Sequence, residues 1–576
     1  MARSDDHLVM NIPGQRYQLY VGFGNEIKMK VDTAMRVPPP TIYPERLGLV
    51  PFRPTAVMGP HRLGFVGEGV PLYGGYSHTR WRTPAINHQW TGTGNPTIAI
   101  GMDSDSQYES PQPAYALFTW TAPGVYEVQL TVHDDHGHTH TGKRQVIIYP
   151  SRTDAYSGVV GVSGLAGSVS QGGWGCQVTI RGAVDFILQA RDLDGYIPVV
   201  VYVDTYYETT RWSWERKALG PNWHEGAYRD DPRILFSGYL DRESVKANHD
   251  LDVVTFEART ADLMLEQMQS GTYGFFADAM NGSGLIFDSL QTHDVARHML
   301  QEHSTFADWH DVRFNQGTTD MGFDPGLIYK DWTWNQGVYW SNIRDMAANQ
   351  YEHAYVSNHG AVFLTWDRNM WKPNMYERGT VQKVHQGPEN LPLSVLSAEP
   401  IYGEASCVPL EINVAGVLSQ QVSYYKIIGS LSFQNEEWGA DHPKGAPRAA
   451  SGRWVLEQGK YFSDHDRDHF WNDILWHWAV RGYALANMRY RITAVFGMHT
   501  YWRFQDIIEV IFTDDQGRVA FTRGSQHNWF EVDGISYDIN AEGETWRTSY
   551  SLRELTVYNA PTPEIPAVPV LGKGSS

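Results

Sequence analysis

The chain is predicted to be mainly β with an α/β insert: a small β-sandwich first, then two further β-rich units separated by the insert. Three observations carry this. Aromatic residues are abundant, with 21 Trp and 32 Tyr among 576 residues, and such side chains favour strands and interfaces. Two stretches alternate at period two between turn signals, Ala116–Gly137 and Asn528–Leu555. Helices are expected mainly in the insert and at Phe470–Met488.

Composition sets the bounds. The length allows about three to five domains. Hydrophobic content of 42% with 19% charged residues describes a globular chain. The net charge of −19 argues against a basic groove that grips nucleic acid. Cys176 and Cys407 lie far apart without metal-ligand spacing, which is expected of a chain made in a reducing compartment. The first fifteen residues contain no apolar run of a secretory signal, and no stretch reaches the ~18–20 apolar residues of a membrane span.

Residues 1–55 are expected to form an extended arm, because Pro38-Pro39-Pro40 enforces polyproline II. They are read as lying along a neighbour or serving as a linker. Residues 56–150 are the sandwich. Pro123-Gly124 turns the chain, then Tyr126, Val128, Leu130 and Val132 alternate with polar partners. Trp90 is the expected aromatic between the sheets.

Residues 151–270 are the next β unit. The Gly- and Ser-rich stretch Gly158–Gly175 is expected to be a flexible loop, followed by strands at Cys176–Ile180, Pro198–Thr205, Ile234–Leu240 and Leu251–Ala258. A helix is expected from Ala261, with Thr260 as N-cap and Met264 and Met268 on one face. Residues 271–395 form the α/β insert. It has helices at Asp294–Glu302 and Ser341–Tyr351, then a strand, the turn Asn358-His359-Gly360 and the strand Ala361–Trp366. Residues 396–560 return to β around a helix at Phe470–Met488, and the Pro-rich residues 561–576 are a disordered or draped tail.

These pieces carry two resemblances. The strand Gly124, Tyr126, Val128, Leu130, Val132, Asp134 resembles that of a PKD domain, an immunoglobulin-like sandwich. Residues ~151–560 resemble the baseplate-hub or tail-tip proteins of phages and phage-derived injection machines. That likeness rests on Phe236-x-Gly238-x-Leu240, the helix after it, the insert, and the closing Trp546-x-Thr548 with Leu552. Met498–Gln505 departs from the pattern by lacking a Gly between the late strands.

The second resemblance implies a structural, non-enzymatic virion component, assembled in the bacterial host cytoplasm and placed at the tail tip or baseplate. It implies two hub β-barrels per subunit in a homotrimer, hence a pseudo-sixfold ring. Its implied partners are the tail tube or distal tail ring, a central spike or fibre and a tape-measure protein, with DNA only in transit. Acidic side chains facing a lumen would repel that DNA; charge spread over the outside gives the same total. The PKD-like domain implies a host-surface glycan as a further partner. The competing reading is a PKD-containing surface or secreted carbohydrate-binding or adhesion protein.

Catalytic signatures are missing: G-x-S-x-G, H-E-x-x-H and Walker sequences do not occur. No catalytic residue and no cofactor is expected. His136, His138 and His140, with His133, are the best metal candidates by spacing. On a surface hairpin they are read as solvated histidines. Asp464, Asp466 and Asp468 lack the Gly and Glu of a calcium loop and read as a helix cap. Trp212, Trp214 and Trp223 crowd a polar segment and are expected either to form a subunit interface, which is the favoured reading, or to supply a core edge.

Overall fold

The computed structural model describes residues 17–23, 36–43, 53–78, 87–103, 112–134, 136–150, 159–182, 184–192, 194–205, 234–270, 285–287, 290–314, 328–330, 332–334, 337–348, 352–366, 381–386, 411–416, 427–428, 454–455, 461–462, 490–497, 504–505, 507–512, 529–540 and 545–555. The chain is mainly β, as its alternation predicts. Trp212, Trp214 and Trp223, the Asp464–Asp468 run, the Phe470–Met488 helix and the tail lie outside the described residues.

After an N-terminal strand, β1 (Tyr17–Phe23), come seven sandwich strands: β2 (Arg62–Phe65), β3 (Gly69–Tyr73), β4 (Asn87–Gly92), β5 (Thr97–Asp103), β6 (Gln112–Thr119), β7 (Gly124–His133) and β8 (Thr139–Tyr149). They form two sheets, ordered β2-β8-β7-β4 and β3-β6-β5. Val128, Leu130 and Val132 of β7 point inward with Val146 and Ile148 of β8, against Val70, Leu72, Ala116 and Phe118 of the other sheet. Trp90 is buried in that core and meets Phe118 edge-on, 6.1 Å between ring centres. The alternation within β7 thus predicts its inward face correctly.

The sandwich also has a second apolar contact. The opposite face of β8, through Ile147 and Tyr149, joins Leu63, Phe65 and Val125 and covers Val200 and Ile234 of the next unit. The sandwich is therefore docked on the rest of the chain along an apolar seam.

The next unit contains β9 (Val159–Ser168), β10 (Trp174–Arg181), helix α1 (Val184–Arg191), β11 (Pro198–Thr205), β12 (Ile234–Asn248), β13 (Val253–Arg259) and helix α2 (Asp262–Gln267). The Gly-rich stretch expected to be a flexible loop is instead largely the strand β9. It pairs with β10 on one side. Two local features make this workable. Gly164, at φ 61°, allows a bulge that lets both Val162 and Leu165 face the core. Gly167 lies opposite Trp174, whose indole covers it so closely that a Cβ there would sit 2.5 Å from the ring. The Gly content reflects aromatic cover and a bulge.

Thr260 also differs from expectation. The α2 N-cap position is Ala261, without a side-chain cap. Thr260 Oγ1 instead accepts the Trp174 N–H at 3.0 Å and donates to Asp262 Oδ1 at 2.5 Å. Met264 and Met268 are both buried, as their shared face predicts.

The insert contributes α3 (Thr292–Arg297), which runs into a π-helical turn at His298–Glu302, then α4 (Phe306–Trp309), β14 (Val312–Phe314), α5 (Tyr339–Ala348), β15 (Glu352–Val356) and β16 (Val362–Trp366). Ile343, Met346 and Ala347 turn inward from α5, next to Val295, Met299 and Leu300.

The last unit comprises β17 (Val381–Gln386), β18 (Glu411–Gly416), β19 (Tyr490–Gly497), β20 (Ile507–Phe512), β21 (Trp529–Asn540) and β22 (Thr545–Glu554). A bulge between Val532 and Gly534 in β21 explains why its buried residues change parity, from Phe530 and Val532 to Ile535, Tyr537 and Ile539. On β22, Thr548, Tyr550 and Leu552 are buried in step.

The two large β units are not separate. β21 pairs antiparallel with β9, so one sheet runs β1-β11-β12-β13-β10-β9-β21-β22-β19-β18, with β20 on β21 and β17 on β20. One core serves both, from Val162 and Val178 to Ile492 and Leu552. The arm expected to reach a neighbour lies, in its described parts, on its own chain. Tyr17–Phe23 adds an edge strand to β11. Val37 exchanges backbone hydrogen bonds with Tyr196, and Tyr43 donates to His303 O at 2.8 Å.

Candidate functional site

The most elaborate polar site lies where the sandwich, β12 and the insert meet. Residues 53–60 cross this junction as a strap. Gly142, on the core-facing row of β8, leaves room for it: a Cβ at 142 would come within 3.2 Å of Ala56 and 3.3 Å of Met58. Gly59 then turns at φ 85°, which directs two successive backbone N–H groups at one carboxylate. Met58 N–H donates to Asp311 Oδ1 at 2.9 Å, and Gly59 N–H to Oδ2 at 2.8 Å.

Asp311 holds four donors in all. Arg144 pairs with Oδ1, and Arg313 donates to Oδ2 at 3.1 Å. Arg144 is buried on the same row as Val146 and Ile148, and its Nε donates to Gly59 O at 2.5 Å. A buried guanidinium is tolerable only with such compensation. The second Arg is braced by rings: the Arg313 guanidinium lies 4.6 Å from the centre of Tyr76 and 5.6 Å from that of Phe363.

Beside this pair runs a directed chain of hydrogen bonds. Gln145 N–H donates to His61 Nδ1 at 3.0 Å, so the proton of His61 is on Nε2. That Nε2–H donates to the Tyr239 hydroxyl at 2.8 Å. Tyr239 in turn donates to His310 Nε2 at 2.7 Å, since His310 Nδ1–H is committed to Phe306 O at 3.1 Å. Both imidazoles are neutral. Burial, then the Arg144 charge, hold His61 well below the ordinary histidine range and bring His310 to about 3. Burial pushes the Tyr239 phenol up, so it stays protonated and can donate.

The remaining space is small. A cavity of about 10 Å³ bounded by Pro60, Ser237, Trp309 and His359 suits at most one water. The arrangement is a clasp between domains, with no room for an organic substrate. The Tyr239→Phe variant tests its wiring. It leaves a buried donor on His61 and a buried acceptor on His310 without their shared partner, and should cost about 2 kcal/mol. Urea unfolding of variant and wild type measures this.

Further ties flank the clasp. Arg53 Nε donates to both oxygens of Glu302 at 3.0 Å, and Thr55 Oγ1 donates to Gln301 Oε1 at 2.6 Å. The π-helical turn thus presents Gln301 and Glu302 together to the strap.

The histidine candidates do not converge on a metal site. His138 Nδ1 bonds Asp134 Oδ2 at 2.9 Å, and Asp134 Oδ1 also accepts the N–H groups of His136 and His138, so these residues shape the turn. His140 departs from the solvated reading. It is buried, accepts Ala56 N–H through Nδ1 at 2.9 Å and reaches Asp308 through Nε2 at 3.2 Å. Among the described residues no three His, Cys, Asp or Glu side chains are placed to hold a metal ion. Among them, too, no helix is long and apolar enough to cross a membrane.

The sequence signals neither Tyr239 nor the histidine–arginine set, because its members come from four separate segments. One local sign exists: Arg144 occupies a core-facing position in an alternating strand, and such a charge needs a buried partner.

No protein-family model and no curated protein matches the chain. Among solved structures it is similar to a tail protein from Neisseria meningitidis MC58, at 10% identity and TM-score 0.39, over 71% of this chain and 95% of that one. It is also similar to the 43 kDa tail protein of prophage MuSo2 from Shewanella oneidensis, at 9% identity and TM-score 0.35, over 75% and 98%. A topological model of the p2 virion baseplate aligns at 5% identity and TM-score 0.23, over 72% and 92%. Superpositions this loose do not establish a common fold.

Proposed function

We propose that the chain is a structural hub protein at the tip of a phage tail or of a phage-derived injection machine. In this reading it forms a homotrimeric ring that adapts a sixfold tail tube to a central spike or fibre and lets DNA or effectors pass. It carries out no catalytic step.

The observation that carries the reading is the β9–β21 pairing. It fixes two β units edge to edge in one subunit with a common core. A subunit built this way holds two β units at a fixed spacing, as a threefold ring that meets a sixfold partner requires. The order of segments noted above, from Phe236-x-Gly238-x-Leu240 to the closing hairpin, agrees with it. The docked sandwich favours a rigid assembly component over an adhesive module on a free linker, since its seam and clasp both face the rest of the chain.

Light scattering on the purified protein tests this. The expected result is a stable particle of three times 65.3 kDa. A monomer at every salt and protein concentration would count against the ring.

A further inference from the structure

The clasp at the three-way junction has no vacant place for another proton. His61 uses Nδ1 to accept the Gln145 N–H, and His310 uses Nε2 to accept the Tyr239 O–H. Protonating His61 sets two donors against each other. Protonating His310 gives Tyr239 two incoming donors and takes the acceptor from its own hydrogen. We propose that the clasp is an acid-sensitive latch: proton uptake by His61 and His310 undocks the sandwich and its strap, while the large sheet stays folded.

The surrounding charges act in the same direction. From β8 come Arg144 and, stacked 5.7 Å from the Trp309 ring, Lys143. Arg62 follows His61 on β2, and Arg313 approaches from β14. The carboxylate facing them, Asp311, is already shared among four donors. Asp308 lies at the rim with His140. Tyr239 from β12 is neutral, and His359, from the turn between β15 and β16, bonds Ile234 O through Nε2 at 2.8 Å. A new positive charge at His61 or His310 would be largely withdrawn from solvent and would face the Arg144 guanidinium.

The sign follows from linkage. Docked, both histidines hold their neutral form far below the ordinary value of about 6.5. The undocked state therefore binds more protons as pH falls below about 6.5, for His310 down to about 3. The latch contributes fully above about pH 6.5 and weakens as pH falls. Each histidine shifts the docked-to-undocked ratio about ten-fold per pH unit, and the pair about a hundred-fold. The apolar seam of Leu63, Phe65, Ile147 and Tyr149 on Val200 and Ile234 does not titrate. It sets how far below 6.5 undocking begins. The latch belongs to the single chain and does not depend on the proposed ring.

Amide hydrogen exchange of the full-length protein, corrected for intrinsic rates, tests this at pH 7.5 and 4.5. Peptides covering residues 53–63, 140–148 and 306–313 should lose about ten-thousand-fold in protection, about a hundred-fold for each of the two pH units below 6.5, reversibly. Those covering 174–181 and 529–540 should not. His310→Gln supplies a neutral acceptor for Tyr239 that cannot titrate, so its loss should fall to the ten-fold-per-unit slope of one histidine. Equal protection of the strap at both pH values, or an undiminished loss in His310→Gln, would overturn the proposal. If that variant does not fold, hydrogen exchange at the imidazole C2 position in the wild type decides. Titration of both histidines near 6.5 with the sandwich still docked would refute the latch.

Discussion

Replacing Asp311 with Ala should destabilise the protein by about 3–5 kcal/mol, among the largest losses available from a single side chain. The carboxylate is buried and accepts from Met58 N–H, Gly59 N–H, Arg144 and Arg313. Its removal leaves the Arg144 guanidinium buried with backbone carbonyls as its remaining acceptors, and leaves two strap amides unsatisfied. Asp311→Asn should recover only part of the loss, because its amide NH2 meets donors where an oxygen is needed. Urea unfolding followed by circular dichroism measures both variants. A loss below 1 kcal/mol for Asp311→Ala would mean that the junction relaxes or admits water, and that the clasp contributes little to docking.

The second large effect is expected at Gly238. A Cβ at this position would overlap the carbonyl oxygen of Arg259, lie 2.8 Å from its carbon, and come within 2.5 Å of the Phe236 ring. The neighbour is backbone of β13, paired with β12 on the adjoining register, so it cannot yield without breaking the ladder. Gly238→Ala should therefore cost about 3 kcal/mol, the upper end of what overpacking usually costs. Gly161, on β9 of the same sheet, has open space around its missing Cβ. Gly161→Ala is the control and should change stability by under about 1 kcal/mol. Thermal unfolding of the two variants separates a steric requirement from a general preference of the sheet.

The Phe236-x-Gly238-x-Leu240 pattern shows both how far sequence reasoning reaches and where it stops. Its spacing is visible, and the contacts supply its cause: Phe236 and Leu240 enter the main core, while Gly238 makes room for β13. The intervening Tyr239 looks like a variable position, yet it is the central link of the clasp. Periodicity reports which face of a strand is apolar. It does not report that both faces of β12 are covered, which depends on where the sandwich and the insert dock.

Glycine content is the second place where the sequence points away from the structure. Gly158–Gly175 looks flexible when each glycine is taken for its backbone freedom alone. The Trp174 ring over Gly167 and the bulge at Gly164 show that the freedom is used to build a central strand. The same strand joins the two β units. In the histidine cluster, spacing correctly placed four residues around one hairpin. It could not reveal that His140 is turned onto Ala56 and Asp308, because those partners are 84 and 168 residues away.

Electron microscopy of the purified full-length protein addresses the central claim most directly. The account predicts threefold rings in which each subunit contributes two adjacent β-rich densities, giving six around a central channel, with three sandwiches attached rigidly to them. Isolated subunits without a ring, or rings of another symmetry with one such density per subunit, would contradict it.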